Sequence, residues 1–233
     1  MMIGIAVGGM LTLFKAYPVY ARLLPALEFF KSRGQNSAKI AEMDTGSAGT
    51  TRPVPQIKPP EQALTLSRFR RDGKIHTLAV LNDDGQTLSG VDISAALGKF
   101  EVNAFEVIRG MSFEAVVKTI RGTNKTTTIR YTDLLPAVAG SDHLAIGINY
   151  AEHGKETGQV KPFMFPKYVE TDPAIHQVNY TEGGLLDHEV ELGVVFPAPV
   201  CTLADLDRMM VGFLVVNDFT DRATLMRKMD SQT

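Results

Sequence analysis

Asp187-His188-Glu189-Val190-Glu191-Leu192-Gly193-Val194-Val195 reads as one β-strand with two glutamates set two residues apart. Side chains alternate across a strand, so Glu189 and Glu191 share one face while Val190 and Leu192 take the other. Two like charges side by side on a sheet repel each other. The arrangement becomes sensible when a hard divalent cation lies between them, because Mg²⁺ and Ca²⁺ take oxygen ligands. The plain alternative is a half-buried strand with a wet, acidic face.

Working outward, other chemistry-bearing residues sit near this strand in the sequence. Leu144 to Tyr150 reads as a buried strand running into Ala151-Glu152-His153-Gly154-Lys155-Glu156. His153 and Glu156 are three apart, and on a helix they share a face, where the carboxylate orients the imidazole and raises its basicity. A histidine so placed is a fair general base, although such pairs are also common on solvated helices. Met210 to Val216 reads as an apolar strand ending at Asn217-Asp218, which puts Asp218 at a strand terminus with Arg222 four residues on. Glu-x-Glu, Asp, a His/Glu element and an Arg together make a metal site with an acid–base group and an anion clamp.

Composition sets the limits. The chain has 233 residues, 44% hydrophobic and 21% charged, as expected of a globular protein with one or two domains. The formal net charge of −2 gives no electrostatic footprint for nucleic acid. The single cysteine, Cys201, excludes an internal disulfide framework and a cysteine-based zinc site. It follows Pro197-Ala198-Pro199 and reads as an ordinary loop thiol with no base beside it.

Residues 1–30 differ from the rest. Met1 to Phe14 is uncharged and mostly apolar, with Gly4, Gly8 and Gly9 inside it. It is short for a membrane span and lacks the basic n-region of a signal peptide. Two readings stay open: a membrane anchor or signal, with Ala16–Phe30 lying at the interface, or a buried N-terminal helix. Lys15, Arg22, Lys31 and Arg33 all follow the apolar run, so a spanning segment would leave the rest cytoplasmic, and a signal would send it to the periplasm. Residues 31–62 form a linker, with Pro53, Pro55, Pro59 and Pro60 favouring an extended spacer.

Residues 63–140 read as a small antiparallel unit. Leu64–Ser67 alternates, Arg68-Phe69 continues with the phase reversed, and Asp72-Gly73 and Asn82–Gly85 are turns around Ile75–Leu81. Val91–Leu97 reads as a short helix with Asp92 near its start, and 103–112 and 113–121 as helices. Arg130 to Leu135 reads as a connector, and His76 as a packed histidine.

Gly147 to Glu156, Phe165-Pro166-Lys167, His188 to Val195 and Val216-Asn217-Asp218-Phe219-Thr220-Asp221-Arg222 together resemble the fumarylacetoacetate hydrolase family, in its order and at roughly its spacing. Residues 63–140 also resemble the small N-terminal domain of longer members. The resemblance implies an α+β, β-rich chain: the small domain, then, over 141–233, the first part of a mixed β-sandwich roll, usually in a homodimer. It implies Mg²⁺ (or Mn²⁺ or Ca²⁺) held by Glu189, Glu191 and Asp218, with His153, Glu156, Lys167 and Arg222 as catalytic residues. The implied reaction is hydrolysis of a carbon–carbon bond in a 2-oxo acid or 1,3-dicarbonyl of acylpyruvate type, or a related decarboxylation, isomerisation or hydration. His153, aided by Glu156, would activate water; the metal, Lys167 and Arg222 would stabilise the leaving enolate.

The sequence departs from the family pattern in two places. Where members place an acid and then a substrate-contacting glutamine after the arginine, this chain has Ala223, Thr224 and Leu225, and Asp221 precedes the arginine as a candidate partner for it. The family domain also continues beyond the position of Thr233, so the resemblance implies a fragment or a truncated gene product. Three classes of function stand: a metal-dependent hydrolase, a non-catalytic remnant that binds metal or dimerises, and a membrane-tethered β-rich binding domain whose Glu-x-Glu strand is a solvated face.

Overall fold

The computed structural model describes residues 4–7, 10–14, 56–140, 142–148, 158, 161–173, 175, 177–178, 184–196, 198–199, 201–206 and 211–230. The chain is α+β and β-rich, and its main sheet curls into a half-barrel. That sheet has ten strands. Its N-terminal part holds β1 (Gly4–Val7), β2 (Met10–Phe14), β3 (Leu64–Arg71), β4 (Lys74–Asp83), β5 (Thr87–Asp92) and β6 (Thr127–Arg130). It is completed by β7 (Leu134–Leu135), β10 (Thr171–Asp172), β11 (Leu186–Val195) and β12 (Val211–Asp221). β8 (Asp142–Gly147) and β9 (Phe163–Tyr168) form a separate antiparallel pair. The helices are α1 (Ile93–Leu97), α2 (Ala104–Val107), α3 (Phe113–Gly122), α4 (Leu203–Leu206) and α5 (Arg222–Asp230).

The turns follow their chemistry. Asp72 and Gly73 both take positive φ, +49° and +74°, the left-handed geometry of a tight two-residue hairpin between β3 and β4. Asp92 ends β5 and caps α1, its Oδ1 accepting from the Ala95 N–H at 3.0 Å. Its other oxygen lies 2.7 Å from His76 Nδ1. His76 is thus a buried, partnered histidine, as its place in an apolar strand indicated. Ser112 caps α3 in the same way.

The phase reversal at Arg68-Phe69 has a physical cause: both faces of β3 are covered. Leu64 and Leu66 pack with Ala79, Val91 and the helices in one cluster. Phe69 packs with Leu78, Val80, Leu88, Ile129 and Leu134 in the other. Arg68 lies on the helix-covered face and donates to the Pro136 carbonyl at 2.5 Å. Burial there pulls its pKa down to about 10, which nearby Glu106 partly opposes.

Several expectations are corrected. The helix over 103–112 shrinks to Ala104–Val107, followed by Gly110 at φ +78°. The connector at 130–135 hides a short 3₁₀ turn and strand β7 on β3, and Thr127–Arg130 adds strand β6 beside β5. Within residues 1–30, the described part forms strands instead of a helix. β1 and β2 both pair with β12, and β2 pairs with β3, so they join the two halves of the sheet. Glycine content disfavours a helix there, while Ile5, Val7, Leu13 and Phe14 suit a strand. Among the described residues no helix is long and apolar enough to cross a membrane. The stretch beginning at Leu144 is a strand but not a buried one: Leu144 is 75% exposed.

Candidate metal centre

β11 and β12 run antiparallel, and their register brings the acidic residues together. Glu189 faces Asp218, Glu191 faces Val216, and Asp187 faces Thr220. Alternation puts Asp187, Glu189, Glu191, Val216 and Asp218 on one face of the ladder. One end of that face joins the core, where Leu214, Val195 and Val216 pack against the main cluster. The other end carries the charges. One carboxylate oxygen from each of Glu189, Glu191 and Asp218 lies within 4.8 Å of the other two.

Asp218 is not at a strand terminus, as its sequence context suggested, but inside β12, which runs on to Asp221. It is 4% exposed. Lys167, projecting from β9, is also buried and donates its ammonium to Asp218 Oδ2. Burial lowers the Lys167 pKa, against the opposing pull of Glu191 and Glu189. Asp218 Oδ1 is buried and has no hydrogen-bond partner among the described residues. A buried carboxylate oxygen without a donor is costly unless something positive takes it.

Arg222 opens α5 at the end of β12. Its Nε donates to Asp187 Oδ2 and its Nη2 pairs with Glu189 Oε1, each at 2.8 Å. Burial works against the Arg222 charge, but the hydrogen bond to Asp187 and the neighbouring Glu189 outweigh it, and its pKa rises. The same hydrogen bond holds the Asp187 carboxyl below the usual carboxylate range. Asp221 is not the partner of Arg222. Its carboxylate turns to the start of α5, accepting from Thr224 Oγ1 at 2.6 Å and from the Leu185 N–H at 3.3 Å.

The structure therefore gathers five of the seven expected site residues: Glu189, Glu191, Asp218, Lys167 and Arg222. His153 and Glu156 lie outside the described residues. Asp187 was missed, although its position two residues before Glu189 on the same strand face was there to be read.

Residues 142–233 match the family model described as fumarylacetoacetate (FAA) hydrolase C-terminal. This segment belongs to the fumarylacetoacetate hydrolase family. Comparison with curated proteins and with solved structures gives no match. The match spans both β8–β9 and the β11–β12 ladder, so every charged group of the cluster lies inside the fumarylacetoacetate hydrolase segment. Domains of this family are generally enzymatic, and its members commonly use divalent metals. The residues present suit such an ion: three converging carboxylates, one with an orphaned buried oxygen, form an all-oxygen donor set of the kind hard cations take.

Proposed function

We propose that this chain is a divalent-cation-dependent hydrolase acting on a carbon–carbon bond of a 2-oxo acid or 1,3-dicarbonyl of acylpyruvate type. The observation that carries the reading is the convergence of Glu189, Glu191 and Asp218, with Asp218 Oδ1 buried and without a hydrogen-bond partner among the described residues. Glu189, Glu191 and Asp218 would hold Mg²⁺, Mn²⁺ or Ca²⁺. Such an ion, when bound, supplies Lewis-acid stabilisation of negative charge developing on a substrate oxygen.

The chain's own groups then divide the work. His153, oriented by Glu156, takes a proton from the water that adds to the distal carbonyl carbon. The carbon–carbon bond breaks, and its electron pair stays with the 2-oxo acid fragment as an enolate, which is reprotonated at carbon. Lys167, buried and with its pKa lowered, is a cationic neighbour from which the enolate oxygen can draw a hydrogen bond or a proton. Arg222 adds positive charge beside Glu189. Leu225, where relatives are expected to have a glutamine, offers no hydrogen bond, which directs substrate choice away from groups that need one there.

The partner class is a small molecule, and the family resemblance favours a homodimer. The test is turnover of acylpyruvates and oxaloacetate by purified protein with Mg²⁺ or Mn²⁺, and after chelation. Cation-dependent release of pyruvate and a carboxylic acid from an acylpyruvate is expected. Stoichiometric metal binding with no turnover of any such substrate would leave the non-catalytic family member as the reading.

A further inference from the structure

We propose that Asp187 is a positioning residue for the metal centre, one that shares the Arg222 guanidinium with Glu189 and so leaves Glu189 able to take a cation. The inference rests on the metal reading above and goes beyond it to a residue outside the triad. Three observations support it.

The first is geometric. A guanidinium is a rigid planar fork, so fixing one donor fixes the direction of the others. Arg222 Nε is held by Asp187 and Nη2 by Glu189, both at 2.8 Å. The arginine backbone is held as well, its N–H donating to the Leu185 carbonyl at 2.8 Å. Asp187 and Glu189 thus take different donors of one fork, and neither has it alone.

The second is formal charge. Among the described residues, Asp187, Glu189, Glu191 and Asp218 bring four negative charges to the cluster, and Lys167 and Arg222 bring two positive ones, a sum of −2. That sum is negative, which favours a cation. Without Asp187 the set is −1, and Arg222 can close on Glu189 as a one-to-one pair that competes with the cation for the same carboxylate.

The third is exposure. Arg222 and Glu189 are each about one-third exposed or less, at 25% and 32%, so solvent screens their attraction only partly. Asp187, at 43%, is the more exposed of the two partners of Arg222.

The test is a double-mutant cycle on the full chain, with Mn²⁺ affinity read by titration calorimetry. Asp187→Ala should weaken Mn²⁺ binding about tenfold, whereas in an Arg222→Ala background the same change should alter it less than about twofold. Asp187→Glu should restore part of the loss. A second measurement needs no metal: hydrogen exchange at the Arg222 Nε–H, followed by NMR, should be slow in the unmodified chain and fast in Asp187→Ala. Equal losses of affinity in both backgrounds, or unchanged Nε exchange, overturn the role of Asp187 alone. Absence of Mn²⁺ binding by the unmodified chain overturns the metal reading, and the proposal with it.

Discussion

Glu189 stands directly opposite Asp218 on neighbouring antiparallel strands. Directly opposed like charges destabilise a sheet unless something positive intervenes. Here Lys167 meets Asp218 and Arg222 meets Glu189, and among the described residues Asp218 Oδ1 is still left without a partner. A cation should therefore stabilise the folded chain by mass action. At Mn²⁺ about 100-fold above Kd the gain is about 2.7 kcal/mol, or about 5–10 °C in Tm for a chain of this size. Scanning calorimetry with and without Mn²⁺ should show that rise in the unmodified chain and none in Glu189→Ala. An equal rise in the variant would remove Glu189 from the ligand set.

Lys167 reaches Asp218 from β9, in a different sheet from β12. Both side chains are buried, at 7% and 6% exposure, so the pair is barely screened. Removing one partner of a buried ion pair leaves an uncompensated charge, at a cost of about 3–5 kcal/mol. Lys167→Met should lower stability in metal-free urea unfolding by about that much, and added Mn²⁺ should recover part of it. A loss below about 1 kcal/mol would mean that the contact contributes little to stability.

Much of this centre was legible because period-two alternation is a strict rule. Once 186–195 is a strand, Glu189 and Glu191 must share a face, and a second strand bearing Asp218 is all that is needed to complete the triad. The rest depended on long-range pairing. Asp218 read as a strand end because polar Asn217-Asp218 follows an apolar run, yet β11 and β1 pair alongside and carry the strand on to Asp221. Arg222 read as a neighbour of Asp221 because they are adjacent in sequence, whereas Arg222 opens α5 and pairs with Asp187 and Glu189 while Asp221 turns to Thr224. The pairing of β1 and β2 could not be read, because nothing local says that an apolar strand will find partners more than fifty residues away. In the small domain the turns at Asp72-Gly73 and Asp84-Gly85 were plain, but β6, made from Thr127-Thr128-Ile129-Arg130, had only Ile129 to mark it as buried.

Asp187 should leave a signature in the acid limb of stability. Its pKa is lowered in the folded chain by Arg222, so its contribution is present above the unfolded carboxylate value and is lost as pH falls through the folded one. That window lies below about pH 4. The carboxylate is half exposed, so the effect is that of a screened pair, about 1–3 °C in Tm. Asp187→Asn should be less stable than the unmodified chain at neutral pH by this margin and equal to it at the acid end. A constant difference across the whole range would assign the loss to packing instead of charge.

Gly193 tests how tightly the core holds the centre. It faces Leu214 on β12, and a Cβ there would lie 2.5 Å from Leu214 Cδ1 and 2.8 Å from Val216 Cγ2. Replacing a strand glycine by alanine ordinarily stabilises by about 0.5–1 kcal/mol through backbone entropy. Leu214 is buried in the main cluster and Val216 packs against it, so neither can retreat freely, and overpacking of this kind costs about 1–3 kcal/mol. The clash should win, and Gly193→Ala should unfold at lower urea than the unmodified chain. Because Val216 is also the cross-strand partner of Glu191, the displaced ladder should carry Glu191 away from Asp218 and weaken Mn²⁺ binding in the same variant. Loss of stability with unchanged Mn²⁺ affinity would show that the acidic end of the ladder moves independently of its apolar end. A gain in stability would show that the leucine has room to move.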